Sequence, residues 1–143
     1  MHGILHDLTI AAPAAKVFEA VTSPALLDQW WTSRAAGLPR LGETYELGFT
    51  PECTWQATVT RCTPGSSFEL TMGRSDADWQ DTRVAFAVEP RGAGTALRFS
   101  HTGWRDANEH FRVSSFCWAS YLRILKRHLE TGARVPYEER DQA

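Results

Sequence analysis

Apolar and polar side chains alternate in six segments of the chain, a pattern typical of β-strands with one covered face. In the clearest segment, Val84, Phe86 and Val88 alternate with Ala85 and Ala87. Turn-forming residues separate the later segments, and such short connections favour antiparallel neighbours. The six predicted strands span residues 4–10, 44–49, 55–60, 68–72, 83–89 and 96–101.

Three other segments repeat apolar residues every three or four positions, which predicts amphipathic α-helices. Two of them are short and span residues 12–21 and 24–31. The third runs from about residue 106 to 131, and Gly132 is well placed to end it. A helix of this length measures about 37 Å. It can therefore cross the whole sheet and cover the apolar faces of the strands.

This order of elements predicts an α+β fold. We expect a curved antiparallel sheet, two short helices and a long C-terminal helix that together enclose a cavity. A chain of 143 residues has the length of one domain. We predict a single domain over residues 1–135, followed by a flexible tail over residues 136–143, where most side chains are polar.

Charge and composition exclude several kinds of partner. The net charge of −2 provides no basic excess for nucleic acid. No apolar run approaches the roughly 20 residues of a membrane span. The N-terminus has no basic segment followed by an apolar one, as a secretory signal would, so we expect a cytoplasmic location. Three cysteines without close spacing argue against a disulfide framework or a structural zinc site.

Three segments carry a resemblance to a known family. They are Ala12-Pro13 through Trp30-Trp31, Gly94-Thr95 through Gly103-Trp104, and Trp118 through Gly132. The chain resembles the homologues of the activator of the heat-shock protein 90 ATPase. These belong to the START-like (SRPBCC) superfamily, which also includes polyketide cyclases. The resemblance implies a helix-grip fold, in which a seven-stranded antiparallel sheet wraps around the long C-terminal helix.

Aromatic residues suggest where a ligand would bind. The chain has six tryptophans and seven phenylalanines, more than a small core packs easily without lining a pocket. From the alternation in the strands and the period of the long helix we predict a ligand-binding cavity. Its predicted lining is Trp30, Tyr45, Phe49, Trp55, Phe68, Met72, Trp79, Phe86, Phe99, His101, Trp104, Phe111, Ser115, Trp118, Tyr121 and Leu122.

Two of these residues have further expectations attached. Trp79 stands in an acidic loop with Asp76 and Asp78, which is either a solvated hairpin tip or a lid over the cavity. Trp118 should point from the long helix toward Tyr45, Trp55 and Phe86.

His101 is the first candidate for polar chemistry, either as a core histidine held by a neighbour or as a cavity residue that bonds a ligand. Its spacing from His110 and Cys117 matches no zinc pattern, so we predict no metal. No nucleotide or serine-hydrolase motif is present, we predict no cofactor, and we assign no catalytic residue.

Three functions remain open at this point. The first is binding of a small hydrophobic or aromatic ligand, with a homodimer as one arrangement of the protein. The second is an enzyme of the cyclase or hydrolase type acting on an aromatic or polyketide-like substrate, which needs two polar groups converging with His101. The third, ranked last, is a co-chaperone.

Overall fold

A computed structural model describes residues 1–142. The strands are β1 His2–Ile10, β2 Arg34–Ala36, β3 Thr44–Thr50, β4 Cys53–Thr63, β5 Ser67–Met72, β6 Arg83–Arg91 and β7 Gly94–Trp104. The helices are α1 Ala14–Thr22, α2 Pro24–Leu27 and α3 Glu109–Thr131, and a 3₁₀ helix follows at Tyr137–Gln142. The strands form one antiparallel sheet in the order β1-β7-β6-β5-β4-β3-β2. The predicted α+β helix-grip fold is confirmed.

The strand that the sequence pattern missed is β2. It has only three residues and pairs with β3 at the edge of the sheet, where Ala35 lies opposite Leu47. Three residues are too few for apolar alternation to be recognised. The seven strands of the structure agree with the number implied by the family resemblance.

Both ends of α3 have clear physical causes. Asn108 caps the start, because its side-chain oxygen accepts a hydrogen bond from the backbone N–H of Phe111 at 2.9 Å. Gly132 ends the helix in the left-handed conformation, with φ 77°, as predicted. Among residues 1–142, no helix combines the length and the apolarity needed to cross a lipid bilayer.

Aromatic rings fill the space between the sheet and the helices. Trp30 is fully buried, and its indole N–H donates to the carbonyl oxygen of Ala20 at 3.0 Å, which fixes the turn after α2 against α1. The hydroxyl of Tyr45 donates to the carbonyl oxygen of Thr22 at 2.6 Å. These bulky side chains are therefore part of the packed core, and the indole N–H of Trp30 and the hydroxyl of Tyr45 each have a hydrogen-bond partner.

Trp118 lies at the centre of this packing with 1% of its surface exposed. We expected it near Tyr45, Trp55 and Phe86, but Tyr45 packs on Phe68 instead. The ring of Trp118 contacts Trp30, Trp31, Trp79, Phe99, His101 and Tyr121.

The C-terminal residues differ from the flexible tail that we expected over residues 136–143. Residues Tyr137–Gln142 form a 3₁₀ helix, and Arg140 within it is only 6% exposed. Its guanidinium donates to backbone carbonyl oxygens far away in sequence, including that of Thr32. Composition alone could not predict this docking, because the contacts are long-range. Residue 143 lies outside the described residues.

Candidate functional site

An aromatic recess of about 280 Å³ opens between α3 and the β3–β4 hairpin. The sheet side contributes Phe49, Cys53 and Trp55, while Trp31 and Trp79 come from the connections beside it. Tyr137 of the 3₁₀ helix also lines the recess. The recess lies at one end of the core, open to the surface, because the centre of the fold is filled by side chains.

One face of α3 supplies the rest of the wall. The positions follow the spacing i, i+3, i+4, i+7, i+8 and i+11, which places them along a single stripe of a helix. The residues are His110, Val113, Ser114, Cys117, Trp118 and Tyr121.

Larger depressions lie on the outer surface of the molecule. One of about 600 Å³ runs along the outer side of α3 beside Phe116, Arg123 and Lys126. It is bordered by charged side chains that remain solvated, whereas ligand sites are concave and mostly apolar. The smaller aromatic recess therefore fits a ligand site better than the larger depression does.

Trp79 is held inside the molecule by its own loop. The Asp76 carboxylate accepts hydrogen bonds from the backbone N–H groups of Asp78, at 3.0 Å, and Trp79, at 2.7 Å. The indole N–H of Trp79 points to the hydroxyl of Ser114 at 3.4 Å, and its ring lies 5.1 Å from that of Trp55. Trp79 is therefore a buried wall of the recess and not an exposed hairpin tip.

His110 lies between two carboxylates at the rim of the recess. Its Nδ1 is 2.9 Å from Asp78, and its Nε2 is 3.7 Å from Asp76. Hydrogen bonds from His110 and then from Asn108 hold the pKa of Asp78 below its usual range. The three side chains are close enough to share a cation. However, the two ring nitrogens face different carboxylates, an arrangement that holds the loop against α3.

His101 is buried outside the recess, and both of its ring nitrogens have hydrogen-bond partners. Its Nδ1 accepts the indole N–H of Trp118 at 3.1 Å, so Nε2 carries the proton and donates to the hydroxyl of Thr82 at 2.8 Å. The Thr82 hydroxyl donates in turn to the carbonyl oxygen of Trp79. Burial, with a smaller effect of His110, lowers the pKa of His101 to about 3. At neutral pH this imidazole is therefore uncharged and links α3 to β7.

Three side chains that line the recess have raised pKa values. Burial, followed by the neighbouring Cys117, raises the pKa of Tyr121 to about 12. Burial also raises the pKa of the Cys117 thiol and of the Tyr137 hydroxyl. Because a nucleophilic cysteine requires a lowered pKa, Cys117 is unsuited to attack a substrate. The recess offers hydroxyl and thiol groups that can hydrogen-bond without carrying charge.

The structure separates the predicted cavity residues into three groups. Those at the recess are Phe49, Trp55, Trp79, Trp118 and Tyr121. Those buried in the core away from the recess are Trp30, Tyr45, Phe68, Met72, Phe86, Phe99, His101, Trp104 and Leu122. Phe111 and Ser115 are half-buried beside β1, where the ring of His2 contacts Phe111 and the Ser115 carbonyl contacts His6.

Seven residues of the recess are not among the predicted cavity residues. Ser115 was predicted to line the cavity, but its neighbour Ser114 does so. Adjacent side chains on an α-helix point in directions that differ by about 100°. The stripe that includes His110, Val113, Ser114 and Cys117 was nevertheless readable from its spacing. Trp31, Cys53 and Tyr137 had no comparable signal, because they reach the recess through tertiary packing.

Solved structures with the same fold come from several bacteria. The Aha1 dimer from Colwellia psychrerythraea is 28% identical, with a TM-score of 0.83, and the match covers 92% of this chain and 98% of that one. CalU16 from Micromonospora echinospora is 20% identical, with a TM-score of 0.73 and coverage of 98% and 83%. DynU16, described as a putative protein in the dynemicin biosynthetic locus, is 18% identical, with a TM-score of 0.78 and coverage of 92% and 48%.

Sequence comparison adds one curated relative and one family. Human Protein FAM124B is 34% identical over 55 residues, which make up 38% of this chain and 12% of that protein. Residues 11–130 match the family described as Activator of Hsp90 ATPase homolog 1-like protein. This match spans α1 through nearly all of α3 and includes most of the recess. The chain therefore belongs to the Activator of Hsp90 ATPase homolog 1-like family, within the START-like fold.

Proposed function

We propose that this chain binds a small, neutral, aromatic or apolar compound in the recess. The observation that carries the proposal is the lining, in which five aromatic side chains predicted from the sequence stand beside Trp31 and Tyr137. Concave sites with apolar walls and a few polar groups are typical of small-molecule binding. Membership of the START-like fold adds support at the level of the fold.

The volume of the recess limits the size of the ligand. An apolar protein cavity of about 150 Å³ accepts one benzene ring. A recess of about 280 Å³ is therefore suited to a compound with about two fused rings.

The lining also limits the charge of the ligand. As far as the structure describes it, the lining includes no aspartate, glutamate, lysine or arginine, and the ring of His110 at the rim already faces the carboxylates of Asp78 and Asp76. A charged ligand would lose its hydration without gaining a counter-charge, which is costly. The hydroxyls of Ser114 and Tyr121 instead favour a neutral compound that carries a hydrogen-bonding group.

The enzyme hypothesis loses its main support. A cyclase or hydrolase mechanism needed two polar groups that converge with His101 in the cavity. His101 is 0% exposed, and its two ring nitrogens are engaged by Trp118 and Thr82. His110 lines the recess, but its two ring nitrogens face the carboxylates of Asp78 and Asp76, so binding is the function that the geometry favours.

Titration calorimetry with 2-naphthol tests the proposal. We expect binding with a negative heat-capacity change, the mark of apolar burial. Val113→Trp places an indole at the half-exposed rim of the recess and should weaken binding at least about tenfold, or 1.4 kcal/mol. Phe116→Trp adds the same group on the same helix outside the recess and should leave binding unchanged.

Equal weakening by both tryptophan variants would place the ligand elsewhere and contradict the proposal. The same conclusion would follow if the native chain bound none of a panel of neutral bicyclic aromatics.

A second candidate is a co-chaperone role, favoured by the family match and by the 28% identity to Aha1. It predicts that the purified chain raises the ATPase rate of the heat-shock protein 90 of its own organism, whether or not Val113→Trp blocks the recess. An unchanged ATPase rate would remove this candidate.

The dimer described for the Colwellia protein supports a further proposal, that this chain forms a homodimer, which light scattering can check. The cytoplasmic location stays a prediction.

A further inference from the structure

The residues that follow α3 return to the recess. After Gly132 the chain runs to the 3₁₀ helix Tyr137–Gln142, which packs against α3. The family match ends at residue 130, so this helix lies outside the matched residues. We call residues Tyr137–Gln142 the strap.

Arg140 fixes the strap to the body of the protein. Its Nη1 donates to the carbonyl oxygen of Thr32 at 3.0 Å, and its Nη2 donates to that of Asp28 at 2.6 Å. Its Nε donates to the carbonyl oxygen of Val135 at 3.1 Å, which also fixes the approach to the strap. Hydrogen bonds from a charged group are stronger than neutral ones, and this guanidinium is buried. Three such bonds from one rigid group define a single position for the helix.

The same guanidinium positions a wall of the recess. It lies 5.4 Å from the ring centroid of Tyr137, within the range of a cation–π contact. The Tyr137 ring in turn lines the recess. Arg140 does not line the recess itself and acts on it through Tyr137, as a positioning residue.

We propose that the strap completes the recess and sets the largest ligand that it accepts, with Tyr137 as the specificity-determining wall and Arg140 as its anchor. The inference rests on the proposed function, because the strap selects among ligands of that recess. A family member whose chain ends after α3 would lack this wall and would accept larger aromatic compounds.

The test compares the dissociation constants of 2-naphthol and the larger 1-hydroxypyrene by calorimetry. The native chain should prefer 2-naphthol. Tyr137→Ala keeps the anchor and removes the wall, and should reduce the preference about tenfold, which corresponds to 1.4 kcal/mol. Arg140→Gln should reduce it similarly and also speed amide hydrogen exchange in residues 132–142. Glu138→Ala, on the exposed side of the strap, should change neither quantity.

The outcomes separate the two proposals. If 2-naphthol binds and the preference is the same in the native chain, Tyr137→Ala and Arg140→Gln, the strap inference is overturned while the proposed function stands. If the native chain binds neither compound, the proposed function fails and the strap inference fails with it. Circular dichroism shows whether Arg140→Gln folds, and Tyr137→Ala decides the matter if it does not.

Discussion

Trp118→Ala is expected to lower the free energy of unfolding by about 3–5 kcal/mol through lost packing. The reason is that Trp118 is buried among Trp30, Trp31 and Phe99 and is not merely a wall of the recess. The substitution also leaves Nδ1 of His101 without its donor, which costs about a further 1–3 kcal/mol. Domains are stable by only about 5–15 kcal/mol, so urea unfolding should show a severely weakened protein.

Trp118→Phe is the matched control. It keeps a ring in the core but removes the N–H, so most of its loss should come from the hydrogen bond to His101, about 1–3 kcal/mol. A loss below about 2 kcal/mol for Trp118→Ala would instead mean that Trp118 borders a cavity with few contacts to lose. That result would favour a larger ligand cavity than the recess described above.

Acidification is expected to destabilise the native chain through His101. The unfolded chain binds a proton at this position below about pH 6.5, whereas the folded chain does so only below about pH 3. The contribution of the uncharged His101 to the free energy of unfolding is therefore complete above about pH 6.5. It is lost as the pH falls toward 3, by up to about 1.4 kcal/mol per pH unit. Between pH 7 and pH 4.5 the contribution of His101 should amount to about 2–3 kcal/mol.

His101→Gln isolates this contribution. A glutamine amide can donate to Thr82 and accept from Trp118 but does not titrate. Urea unfolding at pH 7 and pH 4.5 should give a smaller difference for the variant, since the carboxylates that also titrate, such as Asp78, are common to both proteins. An equal pH dependence in the two proteins would show that the folded chain accommodates a charged His101.

The sheet and the long helix could be predicted because their signals are local. The alternation in β6 and the three- and four-residue period of α3 each identify one face of the element from residues that are close together in the chain. Gly132 ends α3 because glycine adopts a positive φ at little cost. β2 could not be predicted, because its three residues become a strand only by pairing with β3.

The candidate site could be predicted only in part. The strand and helix periods led to the prediction of Trp55 and Tyr121, and both side chains lie at the recess. The same periods treat Phe86 and Phe49 alike, although Phe86 fills the core and Phe49 borders the recess. His101 likewise faces inward as predicted, yet Trp118 and Thr82 engage both of its ring nitrogens.

The sequence by itself determined the layered α+β architecture and the ends of α3, because these depend on residues close together in the chain. The tertiary structure alone decided where space remains among the aromatic side chains, because that depends on which side chains meet across the fold. It also decided where the C-terminal 3₁₀ helix packs. Arg140 finds its partners Asp28 and Thr32 more than one hundred residues away, and no local pattern can encode such a contact.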